Sequence, residues 1–242
     1  MVVSSYKVNI MFIWFCLASS VEGMSHEIEQ SFKLIFWGTE LGEFKVKGET
    51  GTNKYSVSTN ASGKSFIRLL SNFEVSSGAV GNVDHNGDLI PHQSITRWNV
   101  RGKFRQTQLN YQYGTLKAFE TSPELIKKYH INNPIGMANT IDPVSFVLWL
   151  LLDRGKNKTC KGKVKILDGF RMSEFSFENI ENSQDLIICS GKIERIQGFK
   201  NLDIKKKPLK IKIMYSSSNA GFLDVSNVEI ETIFGKMILQ KF

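Results

Sequence analysis

The feature that most constrains this chain is a long succession of short segments in which apolar and polar residues alternate, each closed off by a turn signal. In residues 31–47, SFKLIFWGTELGEFKVK, Phe32, Leu34 and Phe36 alternate with Lys33 and Ile35, and Phe44 and Val46 alternate with Lys45 and Lys47. A period of two sends successive side chains to opposite faces, so this stretch predicts a hairpin with one buried face and a loop over 38–42. Further strands are predicted at 54–59, 66–70, 73–78, 94–100 and 105–111, then at 162–167, 171–177, 186–196, 209–215, 220–223, 228–233 and 235–242. Asn86-Gly87-Asp88 and Gly102 mark turns, and Asp168-Gly169 fits a tight one. So many short strands require an antiparallel sheet that curves or closes. The fold class read is mainly β, a strongly curved antiparallel sheet (half-barrel or open barrel) wrapped around one apolar helix, with one further short helix.

Two segments break the alternation. Ser122-Pro123-Glu124 opens residues 122–129 with a capping hydroxyl, a proline at the first helical position and an acid in the first turn, which predicts the short helix. Asp142-Pro143 begins IDPVSFVLWLLLD in the same way. The run from Val144 to Leu152 is about 13 Å long as a helix, less than half of a bilayer core, so it cannot span a membrane. A helix apolar on every face belongs inside a protein, and a sheet curled around this one would cover Phe146, Trp149 and Leu150 on several sides. Those three side chains either pack the core, the commoner use of large apolar groups, or line an apolar ligand cavity. They are the candidate ligand-binding residues.

The chain opens MVVSSYKVNIMFIWFCLASSVEGMSHE, with a single Lys7, an apolar stretch from Val8 to Ala18 and then small and polar residues. That layout predicts a secretory signal peptide over 1–23, with Val21 and Gly23 before the cut, or Ala18 and Ser20 as the alternative. Ile13-Trp14-Phe15 before Cys16 are too bulky for lipoprotein processing. One β-rich domain, 24–242, is expected to follow, since about 220 residues build a single substantial core. It keeps Cys160 and Cys189, which in an oxidising compartment pair with each other. The expected location is periplasmic or secreted.

The net charge of +8 suits solubility, and an exported basic surface also suits anionic lipid headgroups. Lysines far outnumber arginines, which disfavours specific phosphate or base recognition, so no nucleic acid is expected. Lys205 to Lys207 read as a solvated loop, and Lys210 and Lys212 alternate with Leu209, Ile211 and Ile213 as the charged face of a strand. No G-x-S-x-G elbow, H-E-x-x-H pair or phosphate-cradling loop is present, and the scattered histidines have no metal-ligand spacing. No catalytic residue, metal or cofactor is expected. Asp84, His85 and Asp88 surround Asn86-Gly87 and read as the solvated residues of a turn.

Taken together, LIFWGTELGEFKVKG, NTIDPVSFVLWLL, the Cys160 segment leading into KVKILDGFRMSEFSF, LIICSGKIERIQGF and VEIETIFGKMIL give the chain a recognisable order. Asp142-Pro143 precedes an apolar helix, then come a Cys, Asp168-Gly169, a second Cys, Ile196 to Phe199 and Thr232 to Gly235. In this order the chain resembles the alphaproteobacterial branch of an envelope family, domain of unknown function three-one-zero-eight. The resemblance implies an exported β-rich protein, its sheet curved around a helix, similar in outline to periplasmic lipoprotein carriers and other lipid-binding half-barrels. It implies no catalytic residue. Three roles follow as expectations: a carrier of a lipid or other apolar ligand, with an anionic membrane surface as a candidate partner; a structural or interaction protein, periplasmic or a secreted effector, with a filled core; and, least supported, a hydrolase whose residues converge only in space.

Overall fold

The structure, a computed structural model, describes residues 26–64, 73–123, 131, 133–152, 159–183, 186–200, 207–217, 223–232 and 235–242. The signal peptide read at 1–23, the strand read at 66–70, residues 124–129 of the short helix and Lys205-Lys206 of the basic loop lie outside the described residues. In chain order the elements are β1 (His26–Phe36), β2 (Thr39–Thr50), β3 (Lys54–Gly63), β4 (Glu74–Val83), β5 (Leu89–Val100), β6 (Lys103–Gln112), β7 (Thr115–Ser122) and β8 (Thr140–Ile141). Helix α1 (Pro143–Leu151) follows, then β9 (Lys163–Leu167), β10 (Met172–Ser183), β11 (Leu186–Gln197), β12 (Leu209–Ser217), β13 (Leu223–Thr232) and β14 (Gly235–Lys241).

All strands belong to one 14-stranded sheet in the order β7-β6-β5-β4-β3-β2-β1-β14-β13-β12-β11-β10-β9-β8. Each half is an up-and-down meander, and the halves meet where β1 pairs with β14, Leu34 opposite Leu239 and Phe36 opposite Met237. Only β8 runs parallel to its neighbour, because the helix between β8 and β9 supplies the crossover that a parallel pair needs. Three of the hairpins turn on two-residue steps whose residues both have positive φ: Trp37-Gly38 (49° and 73°), Arg101-Gly102 (54° and 73°) and Tyr113-Gly114 (50° and 68°). Such turns match the right-handed twist of the flanking strands.

Three strand readings change against the structure. The first loop is Trp37-Gly38 alone rather than 38–42, since the register shift opposite Leu34/Ile35 absorbs Leu41 into β2 as a bulge. The segment read at 228–233 begins earlier, at Leu223, as the single strand β13, whose bulge opposite Met214/Tyr215 breaks the alternation without ending the ladder, while residues 220–222 and 233 lie outside the described residues. Strand β7 was not anticipated at all.

The sheet nearly closes on itself, leaving one seam. There the start of β7 meets the segment leading into β8: the Leu116 amide donates to the Met137 carbonyl (2.9 Å), the Gly136 amide to Leu116 (2.8 Å) and the Asn139 amide to Gly114 (3.2 Å). Beyond those bonds side chains do the closing. Leu109, Tyr111, Leu116, Ile131 and Leu167 are buried together, with Phe119, Met137 and Met172 packed on them. Phe119 meets Phe170 edge-on at 4.9 Å.

Helix α1 occupies one end of the barrel. Asp142 caps it in an extended conformation, and Pro143 takes the position where a missing amide costs nothing. Leu148 packs so closely on β2 that a Cβ at Gly48 would lie 3.0 Å from its Cδ1. The helix is not covered on every face, as its composition had suggested: Pro143 is exposed and Val147 and Leu150 are partly exposed, a stripe along one side. The opposite side joins the core built by Ile28, Phe32, Val46, Tyr55, Val57, Ala79, Ile213, Tyr215 and Val225.

Candidate functional site

The interior has two unlike halves, and the helix defines the first. At its N-terminus the fully buried Asp142 accepts the Val144 and Ser145 amides at one carboxylate oxygen (3.0 Å each) and the Ser145 hydroxyl at the other (2.6 Å). The Ser145 oxygen in turn lies 2.7 Å from the Tyr55 hydroxyl, so a hydrogen-bonded chain runs from the β3 wall to the helix cap. The hydroxyls of Tyr111 and Thr140 are buried nearby without a hydrogen bond of good geometry. Burial raises the carboxyl of Asp142 above its ordinary range, against the pull of its own hydrogen bonds. Burial, with the Asp142 charge adding to it, also pushes both tyrosine hydroxyls well above theirs. These buried groups position the helix.

The three sequence-predicted ligand residues sit on this helix. Phe146 and Trp149 are buried (8% and 5% exposed) in an aromatic stack with β10: Trp149 lies 5.8 Å from Phe175 edge-on and 5.7 Å from Phe177 face-on, and Phe146 5.2 Å from Phe175. Leu150 is on the partly exposed stripe, its carbonyl accepting the Tyr215 hydroxyl at 2.9 Å. The structure thus brings Phe146 and Trp149 together and turns Leu150 away from them. Cys160 and Cys189 are joined in a disulfide, their Cα atoms 5.1 Å apart. It ties the entry into β9 to the inner face of β11, where Cys189 is wholly buried.

The second half is the rest of the lumen, and strand register assigns its lining. On the helix side of the wall, Val57, Ala79, Ser94 and Leu109 are cross-strand neighbours on β3 to β6, and all are buried. One inward position further from α1, the row reads Thr59, Ser77, Thr96, Thr107, Thr121, each opposite the next across β3 to β7 and each partly exposed. The row after that is Ala61, Val75, Trp98 and Arg105, with Trp98 already 41% exposed. Across the barrel the same gradient runs along β12, from the buried Ile213 and Ile211 to the partly exposed Leu209. Ile193, Ile230, Met237, Leu239, Leu34 and Phe36 share that inner face, also partly exposed.

Exposure that rises with distance from the helix, on side chains that all face inward, describes a lumen plugged at one end and open toward the other. Its wall is apolar from β11 through β14 to β1 and carries a row of hydroxyls from β3 to β7. Sequence reasoning missed that row. Each Thr or Ser is an ordinary strand residue in its own segment, and only the pairing of five strands aligns them.

The remaining candidates are on the outside. A groove of about 510 Å³ lies over the outward faces of β1 to β5 and is bordered by Glu29, Lys47, Glu49 and Arg97. In the 84–88 turn the Asp84 carboxylate accepts the Asn86 and Asp88 amides at 2.8 Å each, and those backbone bonds lower its pKa. That is the geometry of a solvated turn. Lys210 and Lys212 face outward on β12, as the alternation predicted.

The fold and this lumen define a β-barrel-like protein with a helix seated in one end. No protein-family model matches the chain, and no curated protein is significantly similar to it. Among solved structures it is similar to the crystal structure of a beta-barrel-like protein of domain of unknown function DUF1849 from Brucella abortus. The TM-score is 0.50 at 8% identity, over 89% of this chain and 95% of that one. At that identity the likeness is one of fold, and residue roles do not transfer.

Proposed function

We propose that the protein is an exported, non-catalytic binding barrel that holds a lipid or other apolar ligand in the half of the lumen that α1 leaves open. The observation that carries this reading is the graded exposure of the inner wall. Inward-facing Leu34, Phe36, Leu209 and Met237 stay partly exposed beyond the packed core, whose edge Ile193 and Ile230 border. Apolar side chains on a concave wall gain by covering one another with a ligand, at roughly 25 cal/mol per Å² removed from water. Phe146 and Trp149 serve as the packed floor in this reading, not as the first contacts.

Export is supported by the signal-like run at 1–23 and by the disulfide. Among the described residues no helix is long and apolar enough to cross a membrane. The order of motifs supports placing the chain beside the envelope family it resembles. A filled-core scaffold is the second reading, favoured by the aromatic stack around Trp149.

Solvent extraction and native mass spectrometry of protein recovered from an oxidising periplasm separate the two. The carrier reading expects a stoichiometric acyl lipid, and expects Ala61→Trp, which places a large side chain in the open half of the lumen, to abolish its retention with the fold intact. Protein that neither carries nor takes up an acyl chain would leave only the scaffold.

A further inference from the structure

We infer that the ligand of this lumen is an amphiphile whose acyl chain ends in an oxyanion, and that Arg105 on β6 is the residue that binds that head group. The inference rests on the lumen reading and adds to it the chemical class of the ligand.

Arg105 faces the lumen. It stands directly opposite Trp98, in the row that also holds Ala61 and Val75, while its neighbours Phe104 and Gln106 face outward. Together with Thr96, Trp98, Gln106, Thr107 and Phe170 it lines one small recess in the wall. A partly buried guanidinium has lost part of its hydration and needs an anion or several acceptors to offset that loss. Among the described residues no carboxylate comes within ion-pair distance of it.

Several charged strand residues give the contrast. Lys33, Lys45, Lys47, Lys163, Lys192, Lys236 and Lys241 each have a carboxylate partner. Arg195, at the mouth end of β11, donates to the Lys207 carbonyl at 3.2 Å. Arg97, one strand from Arg105 but on the outer face, donates to Gln106 at 2.9 Å. Among the described residues Arg105 is thus an inward-facing guanidinium whose fork has no carboxylate partner.

A guanidinium binds a carboxylate or phosphate through two parallel N–H bonds, and two threonine hydroxyls beside it can donate to the same oxygens. From that point the wall leads inward past the hydroxyl row, and the alkyl side chains of Ile193, Leu209, Ile230 and Leu239 face it across the lumen. A head group at Arg105 with a chain running toward α1 fits this order of polar and apolar lining. The carboxylate of a free fatty acid and the phosphate of a monoacyl phospholipid share the required chemistry.

The test uses the full chain, exported, purified from a periplasm and delipidated. Dissociation constants are measured by tryptophan fluorescence for oleate, oleoyl lysophosphatidate, the neutral oleyl alcohol and inorganic phosphate. At least one anionic amphiphile is expected to bind about ten- to a hundredfold more tightly than oleyl alcohol, the usual worth of a charge-assisted hydrogen bond. Whichever of the two binds more tightly identifies the source of the oxyanion. Arg105→Gln should erase the preference while leaving the affinity for oleyl alcohol within about twofold, and Arg105→Lys should keep part of it.

Arg97→Gln makes the same charge change on the other side of the wall and should alter nothing. Equal affinities for the anionic and neutral chains, an equal loss in Arg97→Gln, or inorganic phosphate binding as tightly as the amphiphile would each overturn the head-group assignment. In the first two cases the apolar lumen would still stand. If no acyl compound binds, the lumen reading falls with it.

Discussion

Asp142 is wholly buried, and its two carboxylate oxygens take three hydrogen bonds from the first turn of the helix. The amide bonds are those of an N-cap, and losing such a cap costs about 0.5–2 kcal/mol. Burial nevertheless dominates its titration and raises its pKa above the ordinary 3.8. The folded state therefore holds the proton to a higher pH than the unfolded chain does. Protonation contributes stability that is fully present below the unfolded value and is lost as the pH rises through the folded one. Asp142→Asn keeps the acceptor for the cap and removes the ionisation. Its melting temperature is expected to equal or exceed that of the wild type at neutral pH and to lose that advantage below pH about 4. A difference between the two proteins that does not change between pH 4 and 8 would contradict this account. The cap was legible because Asp-Pro before an apolar run is a local signal. Its partner Tyr55, ninety residues away along the chain, was not.

At the scale of the element, the helix and the seam show what local pattern can and cannot carry. The helix start was readable, and so was the Asp168-Gly169 turn, in which the Asp168 carboxylate accepts the Phe170 and Arg171 amides at 2.8 and 2.6 Å. What the turn is for was not readable. Gly169 has a φ of 89°, and a Cβ there would sit 2.2 Å from the Phe119 ring across the seam. Gly169→Ala is thus expected to combine backbone strain with displacement of Phe119. The expected cost is about 1–3 kcal/mol, seen as a lower denaturant midpoint and faster amide exchange at Leu116 and Ile131. Unchanged exchange at those two amides would mean that the seam does not depend on this contact. Strand β7 escaped notice because its inward residues Leu116 and Phe119 are three apart. The bulge opposite Asn110/Tyr111 shifts the phase, and a period-two pattern vanishes at such a shift.

On the scale of the whole molecule, one barrel wall serves a packed core at one end and an open lumen beyond it. The disulfide belongs to the packed end, linking the chain that leaves α1 to β11 across β10. A link between residues 29 apart removes unfolded-state entropy worth about 3–4 kcal/mol. Replacing Cys160 and Cys189 with Ser together is expected to lower the melting temperature by on the order of 10 °C. The lumen residues lie away from the bridge, so oleate binding by the folded variant should survive; losing it at a temperature where the barrel is intact would place the bridge in the site itself. The β class and the core helix could be read from the chain because each depends on neighbours in sequence, through alternation, turn residues and caps, and the cysteine pairing because only two cysteines remain after residue 23. Tertiary structure alone decided that fourteen strands nearly close, that the helix fills only one end, and that Thr59, Ser77, Thr96, Thr107 and Thr121 form one row with Arg105 above it. Those facts depend on register between strands. Register is set by summed burial and bulges across the sheet, so no single segment encodes it.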